Sequence, residues 1–289
     1  MLVSAVPGHL VMPATLYVVA TPIGNLGDIS LRALDVLRSV ALIACEDTRT
    51  TRGLLARHGI KTRTISYHEH NEKSRAAELT SRLEGGDDIA LVSDAGTPGV
   101  SDPGYRLVAA AREKGIPVRA VPGPSALLAA LSVSGLPTSS FCFYGFLPRR
   151  GSARVQAIES LVTSTRTAVL FESPQRARAL LEELAERLGP RPAFLAREIT
   201  KIHEEHRAGS LADLASWVRE KAPRGELTLV IEGAPRRTTS SLTADEVQQR
   251  FSALTAQGLK RREAVKVLAE ETGLPSRLLY RRLLRPEED

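Results

Sequence analysis

Apolar runs of five to seven residues alternate with amphipathic segments along most of the chain. Runs rich in Val, Ile, Leu and Phe predict strands at residues 15–20, 41–45, 88–93, 117–121, 141–146, 167–172, 192–198 and 226–232. Leucines and alanines spaced three or four residues apart predict the intervening helices, three of them around residues 152–163, 175–188 and 210–220. The alternation of strand and helix predicts an α/β fold whose sheet is largely parallel and covered on both faces.

Polar residues next to these segments indicate where two of the helices begin and end. Ser30 precedes a segment with leucines at helical spacing and is a candidate N-cap. The helix that contains Leu107 is predicted to have Asp102 as its N-cap, Pro103 as its first residue and Gly115 as its stop.

The α/β pattern is interrupted twice. The polar stretch LPTSS at 136–140 separates two α/β series, and GAPRRTTSSLT at 233–243 lacks apolar periodicity, as a linker does. The remaining residues have a helical pattern, with a cap candidate at Ser276. We therefore predict an N-terminal α/β domain at 15–136, a second α/β domain at 137–235 and a small helical C-terminal module at 244–289.

The composition is typical of a globular protein with hydrophobic cores. The 289 residues are 43% hydrophobic and 25% charged, and the net charge of +6 permits an acidic partner such as nucleic acid without requiring one. Cys45 and Cys142 are predicted to be buried thiols. No apolar run is long enough to span a bilayer, and the first residues lack the basic start of a signal peptide, so we expect a cytoplasmic protein.

Three predicted loops directly follow strands and consist mainly of Gly, Pro, Asp, Ser and Thr. They read TPIGN at 21–25, SDAGTPGVSDPG at 93–104 and VPGPSA at 121–126, and they contain no Lys or Arg. Ligands of open parallel sheets bind beyond the carboxyl ends of the strands. We therefore expect the three loops to face one crevice.

The composition of these loops does not suit a phosphate. A nucleotide P-loop needs Lys followed by Ser or Thr after its last Gly, and a dinucleotide fingerprint needs GxGxxG at the start of a helix, and the loops contain neither. Carboxylates, hydroxyls and carbonyls suit a cationic ligand with an amine, and apolar walls suit an aromatic base. S-adenosylmethionine has these features, whereas tight turns without any ligand are the alternative interpretation.

Six blocks of the sequence resemble a known family. They are YVVATPIGNLGDIS at 17–30, ACEDTRTTRGLL at 44–55, LVSDAGTPGVSDPG at 91–104, AVPGPSALLAALSVSGLP at 120–137, FYGFLPR at 143–149 and AREITKIHEE at 196–205. In this order, and over about residues 15–285, they resemble the ribosomal RNA small subunit methyltransferase I family of the tetrapyrrole methylase superfamily. The resemblance implies two α/β domains with S-adenosylmethionine in the cleft between them, and a homodimer.

The resemblance also implies a reaction and a binding site. The reaction is 2′-O-methylation of a cytidine ribose in the decoding centre of 16S rRNA, within the small ribosomal subunit. The motif matches assign the methyl-donor site to Pro22, Gly24, Ser93, Asp94, Ala95, Gly96, Gly123, Ser125, Ala126, Phe171, Ser173, Thr228 and Leu229.

Two polar blocks supply candidate catalytic residues. Glu46, Asp47 and Arg49 follow the second predicted strand, and Glu198 and Lys201 follow the apolar run PAFLA at 192–196. A ribose hydroxyl is a weak nucleophile, so a carboxylate could accept its proton while a cation holds a flanking phosphate. The sequence does not decide which residue has which role.

Basic residues on the last predicted helix indicate contact with RNA. Arg277, Arg281 and Arg285 recur every fourth residue and form one cationic face, in a segment that resembles the helix-turn-helix-like C-terminal module of the same family. A solvated face is the alternative interpretation. His68, in SYHEHNE, is a candidate substrate-side residue.

Other classes of function compete with RNA methylation. The histidine spacings do not match HExxH and no Cys stands nearby, so we expect no metal site. A tetrapyrrole (precorrin or uroporphyrinogen) C-methyltransferase would keep the fold, but has no need of the basic C-terminal module. A non-catalytic RNA-binding module would explain the charge, but not three crevice loops without lysine.

Overall fold

The computed structural model describes residues 14–235, 244–272 and 274–284. The chain divides into two compact units, one that ends at Gly233 and one that begins at Ala234. The first unit contains two five-stranded sheets and the second contains helices. The α/β architecture predicted from the sequence is thereby confirmed.

The first sheet is entirely parallel, with the strand order β3-β2-β4-β1-β5. Its strands are β1 (Leu16–Val19), β2 (Leu42–Cys45), β3 (Thr64–Ser66), β4 (Ile89–Val92) and β5 (Val118–Val121). Its helices are α1 (Leu31–Ser39), α2 (Thr48–Arg57), α3 (Glu72–Glu84) and α4 (Tyr105–Glu113). The central strands β2 and β4 are buried at every position, which is why each is a continuous apolar run.

Helices cover both faces of this sheet, as predicted. On one face, Leu16 and Leu91 pack with Leu79 of α3 and Leu107 of α4. The opposite face is covered by α1 and α2, whose core residues include Leu37 and Leu55. All loops that follow the carboxyl ends of the strands are therefore left at one edge of the sheet.

The second sheet has the strand order β6-β7-β10-β8-β9, and it is mixed. Its strands are β6 (Phe141–Phe146), β7 (Thr167–Glu172), β8 (Pro192–Arg197), β9 (Glu205–Ser210) and β10 (Leu227–Ile231). Only β6 and β7 pair in parallel, whereas β10 pairs antiparallel with β7 and β8, and β9 antiparallel with β8. The apolar pattern predicted the buried strands but not their direction. The edge strand β9 was missed because EHRAGS is largely exposed and polar.

Helices α6 (Ser152–Thr163), α7 (Pro174–Leu188) and α8 (Leu211–Lys221) form a core with one face of the second sheet. The other face receives α5 (Ala126–Val133), whose Ala130 and Leu131 pack against Val169, Phe194 and Val230. Thus α5, which precedes residue 137 in the sequence, packs on the second sheet. The domain boundary at residue 137 stays a prediction.

Helix α4 begins later than the sequence predicted. Asp102 and Pro103 precede it, and the residue before its first turn is Gly104, with φ +152°. The Glu72 carboxylate of α3 accepts hydrogen bonds from the N–H groups of Gly104 (3.1 Å) and Arg106 (3.4 Å), so the free N–H groups of α4 are satisfied from another helix. The predictions of Asp102 as the N-cap and Pro103 as the first helical residue were wrong for this reason.

Other local predictions are confirmed. The Ser30 side chain accepts a hydrogen bond from the N–H of Ala33 (3.1 Å) and caps α1. Gly115 follows the end of α4 with φ +69°. Cys45 and Cys142 are free thiols. Cys45 is buried as predicted, whereas Cys142 is only half-buried because it lies on the edge strand β6.

The second unit contains α9 (Ala244–Ala256), α10 (Arg261–Thr272) and α11 (Ser276–Leu284). Helix α11 starts at Ser276 itself rather than after it. The core of the unit includes Phe251, Leu254, Leu268 and Leu279. In the described part of the chain, no helix is long and apolar enough to cross a membrane.

Candidate methyl-donor and acceptor site

The loops that follow β1 and β4 are held together by hydrogen bonds. Thr21 and Gly96 exchange two backbone hydrogen bonds of 2.9 and 3.1 Å. The Thr21 hydroxyl donates to the carbonyl of Ser93 (3.0 Å), and the Ser93 hydroxyl lies 3.3 Å from the carbonyl oxygens of Ala95 and Gly96. The turn at 93–96 is therefore held in place without any ligand.

These loops and the second sheet enclose a cavity of about 280 Å³, here called the inter-sheet cavity. Its walls come from the β1 and β4 loops, the start of α5, and strands β6, β7 and β10. The lining residues are Ile23, Ala95, Gly96, Thr97, Val100, Ser101, Asp102, Ser125, Ala126, Phe146, Phe171, Glu172, Ser173, Pro174, Gly225, Glu226, Leu227 and Thr228. The lining includes three carboxylates and no Lys, Arg or His.

Asp102 is one of these carboxylates, and its pKa is raised above the ordinary value. Burial raises the pKa of its carboxyl to about 6, and the charges of Glu46 and Asp94 act in the same direction, against a hydrogen bond with Ser93 that lowers it. Because α4 is capped by Glu72, Asp102 is free to line the cavity.

Glu172 is buried at the end of β7, and its side chain is 3% exposed. Oε1 accepts a hydrogen bond from the N–H of Ser173 (2.8 Å). Oε2 lies 3.2 Å from Arg176 but is left without a hydrogen bond. A buried carboxylate oxygen without a donor is costly, and here it lines a cavity that could supply one from a ligand.

Aromatic rings and a glycine shape the wall that the second sheet contributes. Phe171 packs edge-to-face on Phe143, with ring centroids 5.0 Å apart, and lies 5.8 Å from Phe146. Gly145, at an irregularity in β6, has φ +60°, and a Cβ there would lie 2.6 Å from the Ser101 hydroxyl oxygen. The β4 loop therefore approaches β6 closely because residue 145 is glycine.

The structure brings together about half of the predicted methyl-donor residues on the cavity wall. These are Ala95, Gly96, Ser125, Ala126, Phe171, Ser173 and Thr228. Pro22 and Ser93 are buried behind the loops, and Leu229, next to Thr228 on β10, points into the opposite core because side chains alternate along a strand.

The remaining three predicted donor residues lie beside the cavity. Gly24 contacts Lys201, since a Cβ on Gly24 would collide with the Lys201 side chain, and Gly123 lies against Ala20. Asp94 is exposed, and its Oδ1 accepts a hydrogen bond from the N–H of Asp47 (3.0 Å).

The candidate catalytic block after β2 contains carboxylates in contrasting environments. Asp47 caps α2 by accepting from the N–H of Arg49 (2.7 Å) and is paired with the Arg49 side chain, which lowers the pKa of its carboxyl to about 2. Burial raises the pKa of the Glu46 carboxyl. The charges of Asp94 and Asp47 raise it further, and His68 lowers it. Glu46 is therefore the better proton acceptor of the two.

Glu198 and Lys201 form an ion pair on the rim, with Lys201 Nζ 2.9 Å from Glu198 and 3.0 Å from Glu226. Burial alone would raise the pKa of Glu198, but hydrogen bonds from the Glu226 N–H and from Lys201 lower it overall. Burial alone would lower the pKa of Lys201, but the two carboxylates raise it overall. This geometry holds the β8 loop against Gly24 and makes both groups poor proton acceptors.

The predicted RNA-contacting residues occupy two places. His68 lies half-buried after β3. Its backbone N–H donates a hydrogen bond to the Asn71 side chain (2.8 Å), and the His68 ring Nδ1 is buried without a hydrogen-bond partner. In the second unit, Arg277 and Arg281 are exposed on α11 while Leu279 is buried. Arg285 lies outside the described residues.

Sequence reasoning missed Glu226 as a cavity residue, did not single out Ile23 and Glu172 within the predicted site segments at 21–25 and 171–173, and treated Asp102 as a cap. Asp102 lies inside the polar loop that drew attention to the site, whereas Glu172 ends an apolar strand and gave no signal of its own. No group of His, Cys, Asp and Glu suited to a metal ion occurs among the described residues.

Comparisons with known proteins agree with this architecture. The family model of the Tetrapyrrole (Corrin/Porphyrin) Methylases matches residues 15–215. Relatives named ribosomal RNA small subunit methyltransferase I include one from Synechocystis sp., 48% identical over 95% of this chain and 99% of the relative. Another, from Escherichia coli O157:H7, is 43% identical over 94% of this chain and 95% of the relative.

Solved structures share the fold. Uroporphyrin-III-C-methyltransferase from Thermus thermophilus has a TM-score of 0.55 at 25% identity and covers 75% of this chain and 94% of its own. Diphthine synthase has a TM-score of 0.60 at 17% identity and covers 76% of this chain and 90% of its own, which shows the fold alone. By its family match and by relatives aligned over nearly its whole length, the chain belongs to the ribosomal RNA small subunit methyltransferase I family of the tetrapyrrole methylases.

Proposed function

We propose that this protein transfers a methyl group from S-adenosylmethionine to the 2′-hydroxyl of a cytidine in the decoding centre of 16S rRNA. The observation that carries the proposal is the inter-sheet cavity, with three carboxylates and no basic residue in its lining. The relatives' names support rRNA as the acceptor. The cytidine and the 2′ position rest on the family resemblance.

The cavity residues fit the proposed donor. S-adenosylmethionine supplies the methyl group on a sulfonium, and it carries a net positive charge and amino groups that donate hydrogen bonds. Asp102 supplies negative charge, Glu226 shares its charge with Lys201, and Glu172 Oε2 is a buried acceptor without a hydrogen bond. Phe171 and Ile23 supply apolar surface for an aromatic base.

We infer that Glu46 accepts the proton of the ribose hydroxyl. It lies at the carboxyl end of β2, beside Asp94 at the end of β4, and it interacts electrostatically with Asp102 of the cavity. Asp47 and Arg49 are engaged in capping α2, and Glu198 and Lys201 in bracing the rim. We assign these four residues to positioning the loops.

Incorporation of labelled methyl tests the reaction. Purified protein is incubated with tritiated S-adenosylmethionine and, separately, with small ribosomal subunits, free small-subunit rRNA or a porphyrinogen. We expect label in the RNA, at the 2′-hydroxyl of a cytidine after nuclease digestion. Label in the porphyrinogen instead would favour tetrapyrrole C-methylation, and calorimetry without any donor binding would favour an RNA-binding module.

A glutamine substitution tests the assignment of the proton acceptor. Glu46→Gln should lower kcat about 100-fold, as expected for a lost general base, with little change in donor affinity. Glu69→Gln is the matched control, because Glu69 is exposed on the loop after β3. Equal rates for the two variants would rule out Glu46.

We further propose that the protein acts as a homodimer on the small ribosomal subunit in the cytoplasm. The family resemblance implies the dimer, and Leu128 and Val133 on α5 are 55% and 53% exposed, which suits an apolar interface. Light scattering measures the mass directly, and a monomer at micromolar concentration would contradict this part of the proposal.

A further inference from the structure

A basic groove lies between α2 and β3, away from the inter-sheet cavity. It is lined by Arg52, Leu55, Ala56, Ile60, Lys61, Thr62, Arg63 and Thr64, and is here called the α2–β3 groove. Its volume is about 580 Å³ and it is open to solvent. Three of its residues are cationic and none is acidic.

The cations of this groove are unpaired, whereas many others in the first unit are not. Arg38, Arg82, Arg106 and Arg154 each form an ion pair with a carboxylate. In the described part of the chain, Arg52, Lys61 and Arg63 form no ion pair, and Arg52 Nε donates a hydrogen bond to the Thr64 hydroxyl, at 3.4 Å. Uncompensated positive charge in an open groove attracts an anion.

The lining indicates which part of a nucleic acid would bind. Guanidinium groups suit phosphate oxygens, but the groove has no aromatic ring on which a base could stack. The Thr62 hydroxyl donates to the carbonyl of Leu37 (2.7 Å) and is not free to read a base. The chemistry therefore matches a phosphodiester backbone rather than a base sequence.

The position of the groove connects it to the proposed acceptor site. Helix α2 starts next to Glu46 at the carboxyl edge of the sheet and extends about 15 Å to the opposite edge. Arg52 lies in its second turn, and Lys61 and Arg63 lie beyond its end. An RNA strand whose ribose reaches Glu46 could thus continue along the groove.

We propose that the α2–β3 groove binds the phosphodiester backbone of the RNA substrate a few nucleotides away from the acceptor nucleotide. This inference rests on the proposed function. It adds a sequence-independent contact in the first unit to that expected of α11. A competing explanation is that the charges only protect the edge strand β3 from pairing with another chain, which would leave RNA affinity unchanged.

The test uses the full-length chain with all three cations replaced, Arg52→Gln/Lys61→Gln/Arg63→Gln. The control, Arg112→Gln/Arg219→Gln/Lys221→Gln, makes the same change in net charge at exposed residues of α4 and α8. Calorimetry with S-adenosylmethionine checks that both variants are folded. Binding of transcribed small-subunit rRNA and of poly(U) is measured by anisotropy between 50 and about 300 mM KCl.

We expect the groove variant to bind both RNAs at least tenfold more weakly than the control. Its slope of log K against log salt should be smaller by about 2, because three phosphate contacts to a single strand are lost. The double variant Lys61→Gln/Arg63→Gln leaves the Arg52–Thr64 contact intact. It should show about two-thirds of that reduction in slope.

Two results would overturn the proposal. Equal affinities and slopes for the groove and control variants would leave only protection of the edge strand, and a loss confined to rRNA would contradict backbone recognition. Failure of the proposed function is a separate outcome, seen as absence of methyl transfer by the wild-type protein.

Discussion

Individual carboxylates in this protein have different properties because their surroundings differ. Asp47 is held ionised by Arg49 and by the start of α2, whereas burial favours the neutral form of Glu46 and Asp102. Glu172 is buried with one oxygen lacking a hydrogen bond. Their environments, rather than their residue type, suit them to the proposed roles of capping, proton transfer and ligand binding.

Asp102 should make stability depend on pH. Its pKa is raised from 3.8 to about 6, so the folded state binds the proton more tightly than the unfolded state. This contribution is full below pH 3.8 and is lost as the pH rises through 6. At pH 8, Asp102→Asn should therefore unfold at a higher urea concentration than wild type. Its free energy of unfolding should exceed that of wild type by at most about 3 kcal/mol. The difference should shrink as the pH falls to 5, and a difference that stays constant would refute the assignment.

Glu172 should contribute directly to donor affinity. Glu172→Gln removes the negative charge, which Arg176 only partly compensates, but keeps an acceptor for the Ser173 N–H, so we expect S-adenosylmethionine to bind about tenfold more weakly. Calorimetry measures the affinity, and Glu186→Gln, at an exposed residue of α7, is the control. Unchanged affinity would show that Glu172 Oε2 faces no part of the donor.

Elements meet at this site through loops that approach each other closely. The β4 loop approaches β6 at Ser101 and Gly145, and the β8 loop approaches the β1 loop at Lys201 and Gly24. Such approaches connect the two sheets of the first unit and set the width of the inter-sheet cavity. The cavity is therefore a property of paired loops rather than of either sheet alone.

Gly145→Ala should destabilise the protein more than Gly115→Ala. Both glycines have similar positive φ, +60° and +69°, so alanine costs about 1–2 kcal/mol at each. Only at Gly145 would the added Cβ also meet Ser101, 2.6 Å away, while nothing lies within 4 Å at Gly115. Thermal unfolding compares the two, and equal losses would mean that the β4 loop simply moves aside.

At the scale of the whole molecule, the two units are suited to different tasks. The first unit holds the inter-sheet cavity, the carboxylates Glu46, Asp47 and Asp94 at the ends of β2 and β4, and the α2–β3 groove. The second presents Arg277 and Arg281 on α11, with Leu279 in its core. The division predicts that donor binding and RNA binding respond to different substitutions.

Arg277→Gln/Arg281→Gln should weaken RNA binding and leave donor binding unchanged. Two lost phosphate contacts reduce the slope of log K against log salt by about 1 to 2. Arg219→Gln/Lys221→Gln on α8 is the control with the same change in charge. Anisotropy with small-subunit rRNA and calorimetry with S-adenosylmethionine measure the two affinities, and a parallel loss in both would contradict the division.

The sequence by itself determined the elements whose residues share one environment. Buried strands such as β2 and β4 are apolar at every position, and Ser30 caps α1 through a local hydrogen bond, so periodicity and neighbouring residues are sufficient to predict them. The absence of Lys and Arg from the crevice loops was equally a property of the sequence. It predicted the kind of ligand that the cavity lining suits.

Only the tertiary structure decided features that depend on residues distant in the chain. Glu72 caps α4 from another helix, which displaced the predicted cap at Asp102 and left that carboxylate on the cavity wall. Strand direction in the second sheet and the packing of α5 on it also involve partners far apart in sequence. Local patterns report burial but not which distant group satisfies a hydrogen bond, so these features could not be read from the sequence.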